Sequence, residues 1–214
     1  MAYQNFDVQI QNLLSIDSTT LSSIQDSLDT WMTNGAKEIT NLMPEDMLNT
    51  VATESSAFVP NTGLTVTTYK ILKVYRNDGT IDQPCRRVPA MLRGRVTDPD
   101  DMNYATATDP VYYTEPQTDG TMKVIILPSS SASVGKVVYA TPPTVDASSG
   151  GSIAGFPDEA EYLVMLYGAI KAGEYLLAKN EDIELLSPIL VNLKSDYQSG
   201  LGALYGRPQE ARAQ

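Results

Sequence analysis

Two consecutive helices are predicted by residues 156–205, which read FPDEAEYLVMLYGAIKAGEYLLAKNEDIELLSPILVNLKSDYQSGLGALY. Pro157 suits the first helical position, and Asp158 and Glu159 place negative charge at the helix N-terminus, where the helix dipole stabilises it. From residue 160 to residue 177, apolar side chains fall on two sides of this helix. We therefore expect the first helix to be covered on both sides.

A second helix is predicted after a polar turn at residues 180–182. Ser187 is the expected N-cap and Pro188 the expected first helical residue, and apolar residues then recur every three or four positions as far as Leu204. An amphipathic helix beside a helix that is covered on both sides suits a protomer that is buried among neighbouring copies. Tight packing within one chain explains the small residues of the first helix nearly as well.

The rest of the chain is predicted to run from helices to strands. Helical spacing extends from about residue 20 to Met43, and Pro44 then begins a shorter helix that continues to about Phe58. From Leu64 the period of the apolar residues changes to two, which predicts β-strands. The expected strands are residues 64–75, 88–96, 111–114, 122–127 and 136–140.

These elements predict an α+β fold. Neither helical end is large enough to bury its apolar face alone, so we expect the N- and C-terminal helices to form one helical bundle with an inserted antiparallel β-subdomain. We expect four parts: an N-terminal helical part (residues 1–60), a β-rich insertion (61–147), a C-terminal helical hairpin (148–205) and an extended tail (206–214). Residues 142–155, rich in serine and glycine, are expected to be a flexible linker.

The composition argues against standard catalytic equipment. The chain has no histidine and a single cysteine, Cys85. The usual zinc sites, histidine general bases and an internal disulfide are therefore excluded, and we expect no metal, no cofactor and no catalytic residue.

No window reaches the roughly 18 apolar residues of a membrane span, and the N-terminus lacks the basic-then-apolar pattern of a secretory signal. We expect a protein made in the cytoplasm, without membrane association, that is not an enzyme.

Negative charge is concentrated at the two ends of the chain. Residues 1–60 carry eight acidic residues and one basic residue, residues 61–155 carry nine of each, and residues 156–214 carry nine acidic and five basic residues. An acidic surface disfavours a protein that grips DNA, and it suits a conduit past which DNA slides without binding. The alternative is that the charge only keeps the protein soluble.

Three motifs resemble chemical sites, and each fits poorly. Residues 98–109 have the acidic spacing of a calcium loop, but Asn103 stands where that loop needs glycine and Asp109 where it needs glutamate. The glycines between positions 150 and 155 precede a helix, but no lysine follows them as in a phosphate loop. The carboxylates within residues 181–184 lie in a polar turn without the apolar setting that raises a carboxylate pKa.

Arginine is concentrated in the predicted sheet. Five of the arginines lie within twenty residues, at Arg76, Arg86, Arg87, Arg93 and Arg95. Guanidinium groups suit carboxylates, so we predict that the last four contribute to contacts between chains. A phosphate site, or edge charges that discourage aggregation, are the alternatives.

Three groups of residues carry a resemblance to a known family. They are LDTWMTNGAKEI at 28–39, DPVYY at 109–113 with KVIILP at 123–128 and VVYA at 137–140, and FPDE at 156–159 continuing to LYGA at 166–169. Together they span most of the chain. In these residues the sequence resembles the head-to-tail connector adaptors of tailed bacteriophages, in which a helical bundle carries an inserted β-region.

The resemblance implies a virion structural protein at the head–tail junction. Such a protein forms a ring of identical copies, expected to be dodecameric, below the portal protein, joins the next tail component (a nozzle, stopper or tube), and lets double-stranded DNA pass. The resemblance also implies that the C-terminal extension reaches the portal, with Tyr205, Arg207 and Arg212 as the expected portal-binding residues. A tail-tube or tail-completion protein, and a virion-associated, carboxylate-dependent cell-wall hydrolase, are the alternatives.

Overall fold

The computed structural model of the chain describes residues 4–67, 70–130, 133–148, 150–179 and 183–205. Its mixed α+β class is the one predicted, with helices at both ends of the sequence and two β-sheets formed by residues between them. The chain divides into two compact units: a helical unit of Met1–Val51 with Pro142–Gln214, and a β unit of Ala52–Thr141. The helical unit has 17 acidic and 6 basic residues and the β unit has nine of each, so the whole net charge of −11 belongs to the helical unit.

Six helices are described in the helical unit. They are α1 (Phe6–Leu14), α2 (Ser18–Ser22), α3 (Gln25–Leu42), α4 (Glu45–Leu48), α5 (Asp158–Ala178) and α6 (Ile183–Tyr205). As predicted, α5 is covered on more than one side, because α1, α3 and α6 all pack against it. Aromatic pairs mark two of these contacts: the rings of Trp31 and Tyr175 have centroids 5.6 Å apart, and those of Tyr167 and Tyr197 have centroids 6.0 Å apart.

The small residues of α5 are points of close contact within the chain. A Cβ atom added at Gly168 would lie 2.7 Å from Cγ of Met32 in α3, and one added at Gly173 would lie 2.7 Å from Cδ2 of Leu190 in α6. Only a residue without a side chain allows neighbours to approach that closely. Packing within one chain therefore accounts for both apolar sides of α5, and neighbouring copies are not needed to explain them.

The segment before α5 is anchored to α3. The amide of Ala147 donates to Oδ1 of Asp29 over 3.0 Å, and the amide of Val145 donates to Oγ1 of Thr33 over 3.1 Å. Val145 and Ala147 are themselves buried. The prediction of a flexible linker is therefore wrong for these residues, which belong to the core of the helical unit.

Two four-stranded sheets form the β unit. The strands are β1 (Ala52–Glu54), β2 (Leu64–Val66), β3 (Ile71–Asn77), β4 (Asp82–Pro84), β5 (Arg86–Arg87), β6 (Val111–Pro116), β7 (Met122–Leu127) and β8 (Val134–Ala140). Their order is β1-β8-β3-β4 in one sheet and β2-β7-β6-β5 in the other. Every pair is antiparallel except β5 with β6, which is parallel, so the predicted antiparallel subdomain is mixed at that edge.

Strand β7 contributes to two apolar clusters. Val124 and Ile126 belong to a cluster with Val66, Val74 and Val137. Ile125, between them, belongs to a second cluster with residues that include Val96, Val111 and Tyr113. Successive side chains of a strand point to opposite faces, so a continuous apolar run serves both clusters. The strand predicted at 122–127 is confirmed.

The N-terminal helices differ from the prediction. The helix expected from residue 20 is interrupted at Ser23 and Ile24, which separate α2 from α3, while Gly35 lies within α3 without breaking it. No helix was predicted at α1, although Phe6, Ile10 and Leu14 follow one another at a spacing of four and are all buried. That spacing is the signal that identifies an amphipathic helix.

Two further segments were assigned the wrong structure. Helix α4 ends at Leu48 instead of continuing to Phe58, because residues 52–54 pair with β8. Strand β5 ends at Arg87. Residues 88–96, predicted to be a strand, instead contain 3-10 turns at Ala90–Leu92 and Arg95–Thr97. Pro89 has no amide hydrogen to donate to a sheet and Gly94 has no side chain to pack, and both weaken a strand.

Helix α6 begins at Ile183, about one turn before the predicted cap at Ser187. Pro188 therefore lies inside the helix, where its ring nitrogen cannot donate to the carbonyl of Glu184. Burial favours the early start, because Leu186 lies in the first turn of α6 and is only 2% exposed.

Candidate interaction surfaces

Three of the four arginines predicted to join chains bind carboxylates of their own β unit. The pairs, with their nitrogen–oxygen distances, are Arg86–Asp109 (3.2 Å), Arg93–Glu115 (3.1 Å) and Arg95–Asp101 (2.6 Å). Each of these bonds uses one nitrogen of a guanidinium that has five N–H donors in all. The arginines are thus positioned by their own chain and keep donors that a partner can use.

Arginine is the outer member of two of these pairs. The side chain of Arg93 is 68% exposed and that of Glu115 is 28% exposed, while Arg95 is 60% exposed and Asp101 is 14% exposed. Hydrogen bonds from the Asn103 amide and then from Arg95 hold the pKa of Asp101 at about 2, so its carboxylate stays ionised at neutral pH. The more exposed charge at these two positions is therefore positive.

Exposed methionines lie on the same segment as these arginines. Met91 is 87% exposed and Met102 is 100% exposed. The segment is held in place by a hydrogen bond of 2.9 Å from the Ala105 amide to the Val96 carbonyl. Methionine, arginine and tyrosine are residue types that protein interfaces favour. We call this the methionine–arginine surface and define it as Met91, Arg93, Arg95, Met102 and Tyr104.

Arg76 differs from the other arginines of the β unit because it is only 3% exposed. Its Nε donates to the carbonyl of Pro128 over 2.6 Å, and its buried Nη1 has no hydrogen-bond partner in the described part of the chain. Nearby, burial raises the pKa of the Cys85 thiol to about 12, and the charge of Arg76 opposes that rise only in part. Arg76 therefore belongs to the interior of the β unit and is not available to a partner.

An apolar groove lies in the helical unit between α4, the first turns of α5 and the last turns of α6. Its volume is about 220 Å³, and it is lined by Met47, Glu159, Tyr162, Leu163, Gly200, Ala203 and Leu204. Tyr162 is 51% exposed at the groove. The groove was not predicted, because its lining comes from three stretches that are separated in sequence, at residues 47, 159–163 and 200–204.

Of the predicted portal-binding residues, one is the C-terminal residue of α6 and the other two follow it in the sequence. Tyr205 is the last residue of α6, directly after the groove residue Leu204. Arg207 and Arg212 lie outside the described residues. The proposed role of these three residues therefore stays a prediction.

A second cavity, of about 230 Å³, lies where α1 ends and α2 begins, next to Leu176 and Leu186. Ser15 ends α1 with a left-handed φ of 54°. The carboxylate of Asp17 accepts the Thr20 amide over 2.7 Å, which lowers the pKa of Asp17. The polar groups of this cavity are thus occupied in turning the chain from one helix into the next.

Two carboxylates of the calcium-like loop are engaged in turns. Asp98 accepts the amide of Asp100 over 3.1 Å, and Asp101 accepts the amide of Asn103 over 2.9 Å. Glu184 is exposed at the start of α6, and residues 181–182 lie outside the described residues. Within the described ranges, no three histidine, cysteine, aspartate or glutamate residues are placed to hold a metal ion. None of the described helices is long and apolar enough to cross a membrane.

No family model matches the sequence, and a search of the curated proteins finds no match either.

Proposed function

We propose that this protein is a structural component of a bacteriophage virion, a head–tail adaptor that connects the capsid to the tail. In this proposal it forms a dodecameric ring below the portal protein, binds the next tail component on its other side, and lets double-stranded DNA pass. The N- and C-terminal helices form the bundle of the adaptor, and the β unit is the insertion.

The observation that carries this proposal is the division of the chain. Residues from both ends of the sequence form one compact unit, and the residues between them form another. The groups of residues that resemble the connector adaptors follow this division: residues 28–39 lie in α3, which packs against α5, and α5 contains residues 166–169. The resemblance and the fold are therefore consistent with the same architecture.

The distribution of charge supports a role next to DNA without DNA binding. The helical unit carries the whole net charge of −11, whereas the β unit is neutral. Phosphate backbones are repelled by a surface of this sign, and binding to them needs clustered lysine and arginine. A channel lined by such helical units passes DNA without holding it.

The contacts of the proposed ring involve two sets of residues. Arg86, Arg87, Arg93 and Arg95 contribute to contacts between copies, and the exposed positions of Arg93 and Arg95 support this role. Tyr205, Arg207 and Arg212 bind the portal protein, since tyrosine and arginine are residue types favoured as anchors in protein interfaces.

Electron microscopy of the purified protein tests the proposal. We expect rings with a central channel wide enough for duplex DNA, and binding of these rings to portal-containing heads. Stacked rings that extend into a tube would favour a tail-tube protein instead. Hydrolysis of peptidoglycan that is lost in Glu184→Gln would favour the cell-wall hydrolase, and either outcome would contradict the adaptor.

A further inference from the structure

The groove between α4, α5 and α6 is mostly apolar, with the carboxylate of Glu159 in its lining, and two of the elements that form it carry further exposed acidic residues. Met47, Tyr162 and Leu204 supply apolar walls. The exposed acidic residues of α4 and of the first turn of α5 are Glu45, Asp46, Asp158 and Glu159. Neither of these two stretches contains a basic residue. With a volume of about 220 Å³, the groove lies below the roughly 300–1,000 Å³ of small-molecule sites and suits a single protein side chain.

The methionine–arginine surface has the complementary properties. Met91 and Met102 are long, flexible and apolar, and such side chains adapt to irregular apolar gaps. Arg93 and Arg95 are more exposed than the carboxylates that position them. The segment also carries the exposed carboxylates of residues 98 and 100, so its exposed positive charge is confined to Arg93 and Arg95.

We infer that the methionine–arginine surface of one copy docks on the apolar groove of a second copy. A methionine side chain enters the groove beside Tyr162, and Arg93 and Arg95 face the exposed acidic residues of α4 and of the first turn of α5. The inference rests on the proposed ring and specifies how neighbouring copies meet. The two surfaces differ, so the contact is head-to-tail, and a contact of this type forms a ring when the rotation between neighbouring copies closes.

Cysteine cross-linking between two different variants tests the contact. Met102→Cys or Met91→Cys is mixed with Tyr162→Cys under mild oxidation, so that a disulfide joins copies and never two positions of one chain. We expect disulfide-linked dimers in at least one mixture, and a longer ladder when both substitutions are in the same chain. Native Cys85 is half-buried with a thiol pKa of about 12, so it stays unreactive under these conditions.

Matched mixtures control the cross-linking experiment. Val191→Cys replaces Tyr162→Cys in the control, because Val191 is 67% exposed on α6 and does not line the groove. We expect at least a tenfold lower yield of dimers with Val191→Cys. Equal yields in the two mixtures, or no dimers with either methionine position, would overturn the inference.

Charge reversal provides an independent measurement. We expect Arg93→Glu with Arg95→Glu to weaken assembly at least tenfold by analytical ultracentrifugation, and the further changes Glu45→Arg and Glu159→Arg to restore it. Lys73→Glu, an exposed reversal elsewhere in the β unit, is the control and should leave assembly unchanged. A thermal melt of each monomer checks that it folds.

These experiments distinguish a failure of the inferred contact from a failure of the proposed ring. Rings that persist in the reversed variant contradict the contact and leave the proposed adaptor standing. A wild-type chain that remains monomeric at high concentration, and that also fails to bind portal-containing heads, contradicts both.

Discussion

Two helical glycines of this protein have opposite surroundings. A Cβ atom added at Gly35 would lie 2.8 Å from Cδ1 of Tyr167, whereas one added at Gly202 would meet nothing within 4 Å. Alanine in a helix is favoured over glycine by roughly 0.5–1 kcal/mol, and inserting an atom into a packed contact costs roughly 1–3 kcal/mol. The two effects oppose each other at Gly35, and only the first acts at Gly202.

We predict that Gly35→Ala lowers the free energy of unfolding by about 1–2 kcal/mol. Gly202→Ala, the matched control, should raise it by about 0.5–1 kcal/mol. Urea denaturation of both variants measures these changes. If Gly35→Ala is also stabilising, then α3 and α5 are not in the close contact described here.

The segment before α5 offers a test at the level of an element. Oγ1 of Thr33 accepts the Val145 amide over 3.1 Å and donates to the Val145 carbonyl over 3.4 Å. Thr33→Val keeps the shape and leaves both groups unpaired, so we expect a loss of about 1–3 kcal/mol in unfolding free energy. Thr30→Val is the control, because the hydroxyl of exposed Thr30 donates to the Asp26 carbonyl of its own helix. Equal effects of the two substitutions would show that the segment is not held by α3.

The start of α6 is tested by Ser187→Ala. If Ser187 were the N-cap, as its sequence context predicts, its loss would cost about 1 kcal/mol. In the structure it is an exposed residue within the helix, where alanine is preferred, so we predict a gain of up to about 0.5 kcal/mol. Thermal unfolding monitored by circular dichroism distinguishes the two signs.

Elements whose apolar residues recur with a clear period were predictable from the sequence. The apolar pattern of α5 predicted both its bounds and its coverage on two sides, and the run at β7 predicted a strand. Residues 88–96 alternate like a strand, but Pro89 and Gly94 allow 3-10 turns, and Val88 and Val96 still reach the apolar cluster. The alternation alone therefore predicted a strand that Pro89 and Gly94 of the same segment disfavour.

Surfaces were less predictable than elements. The cluster of arginines was visible in the sequence, but its pairing with Asp101 and Glu115 depends on which residues the fold brings together. The groove beside Tyr162 depends on helices from both ends of the chain. The half-exposed position of Tyr162, in a helix with many buried residues, became visible only in the structure.

For the whole molecule, we predict that deletion of residues 206–214 leaves the fold intact. These residues follow the last residue of α6 and their sequence, GRPQEARAQ, has no large apolar side chain, so we expect no change in the unfolding temperature. Binding to portal-containing heads should weaken in a co-sedimentation assay, because the deletion removes Arg207 and Arg212. Undiminished binding would show that portal docking lies elsewhere in the chain.

The proposed adaptor places every copy of this protein at one site of the virion. A cryo-electron microscopy reconstruction of the neck of the intact particle tests that claim most directly. The account predicts a ring directly below the portal in which both the helical unit and the β unit fit each copy, with DNA or an open channel on the axis. A neck reconstruction that contains no density for this fold, or this fold in the tail tube, would contradict it.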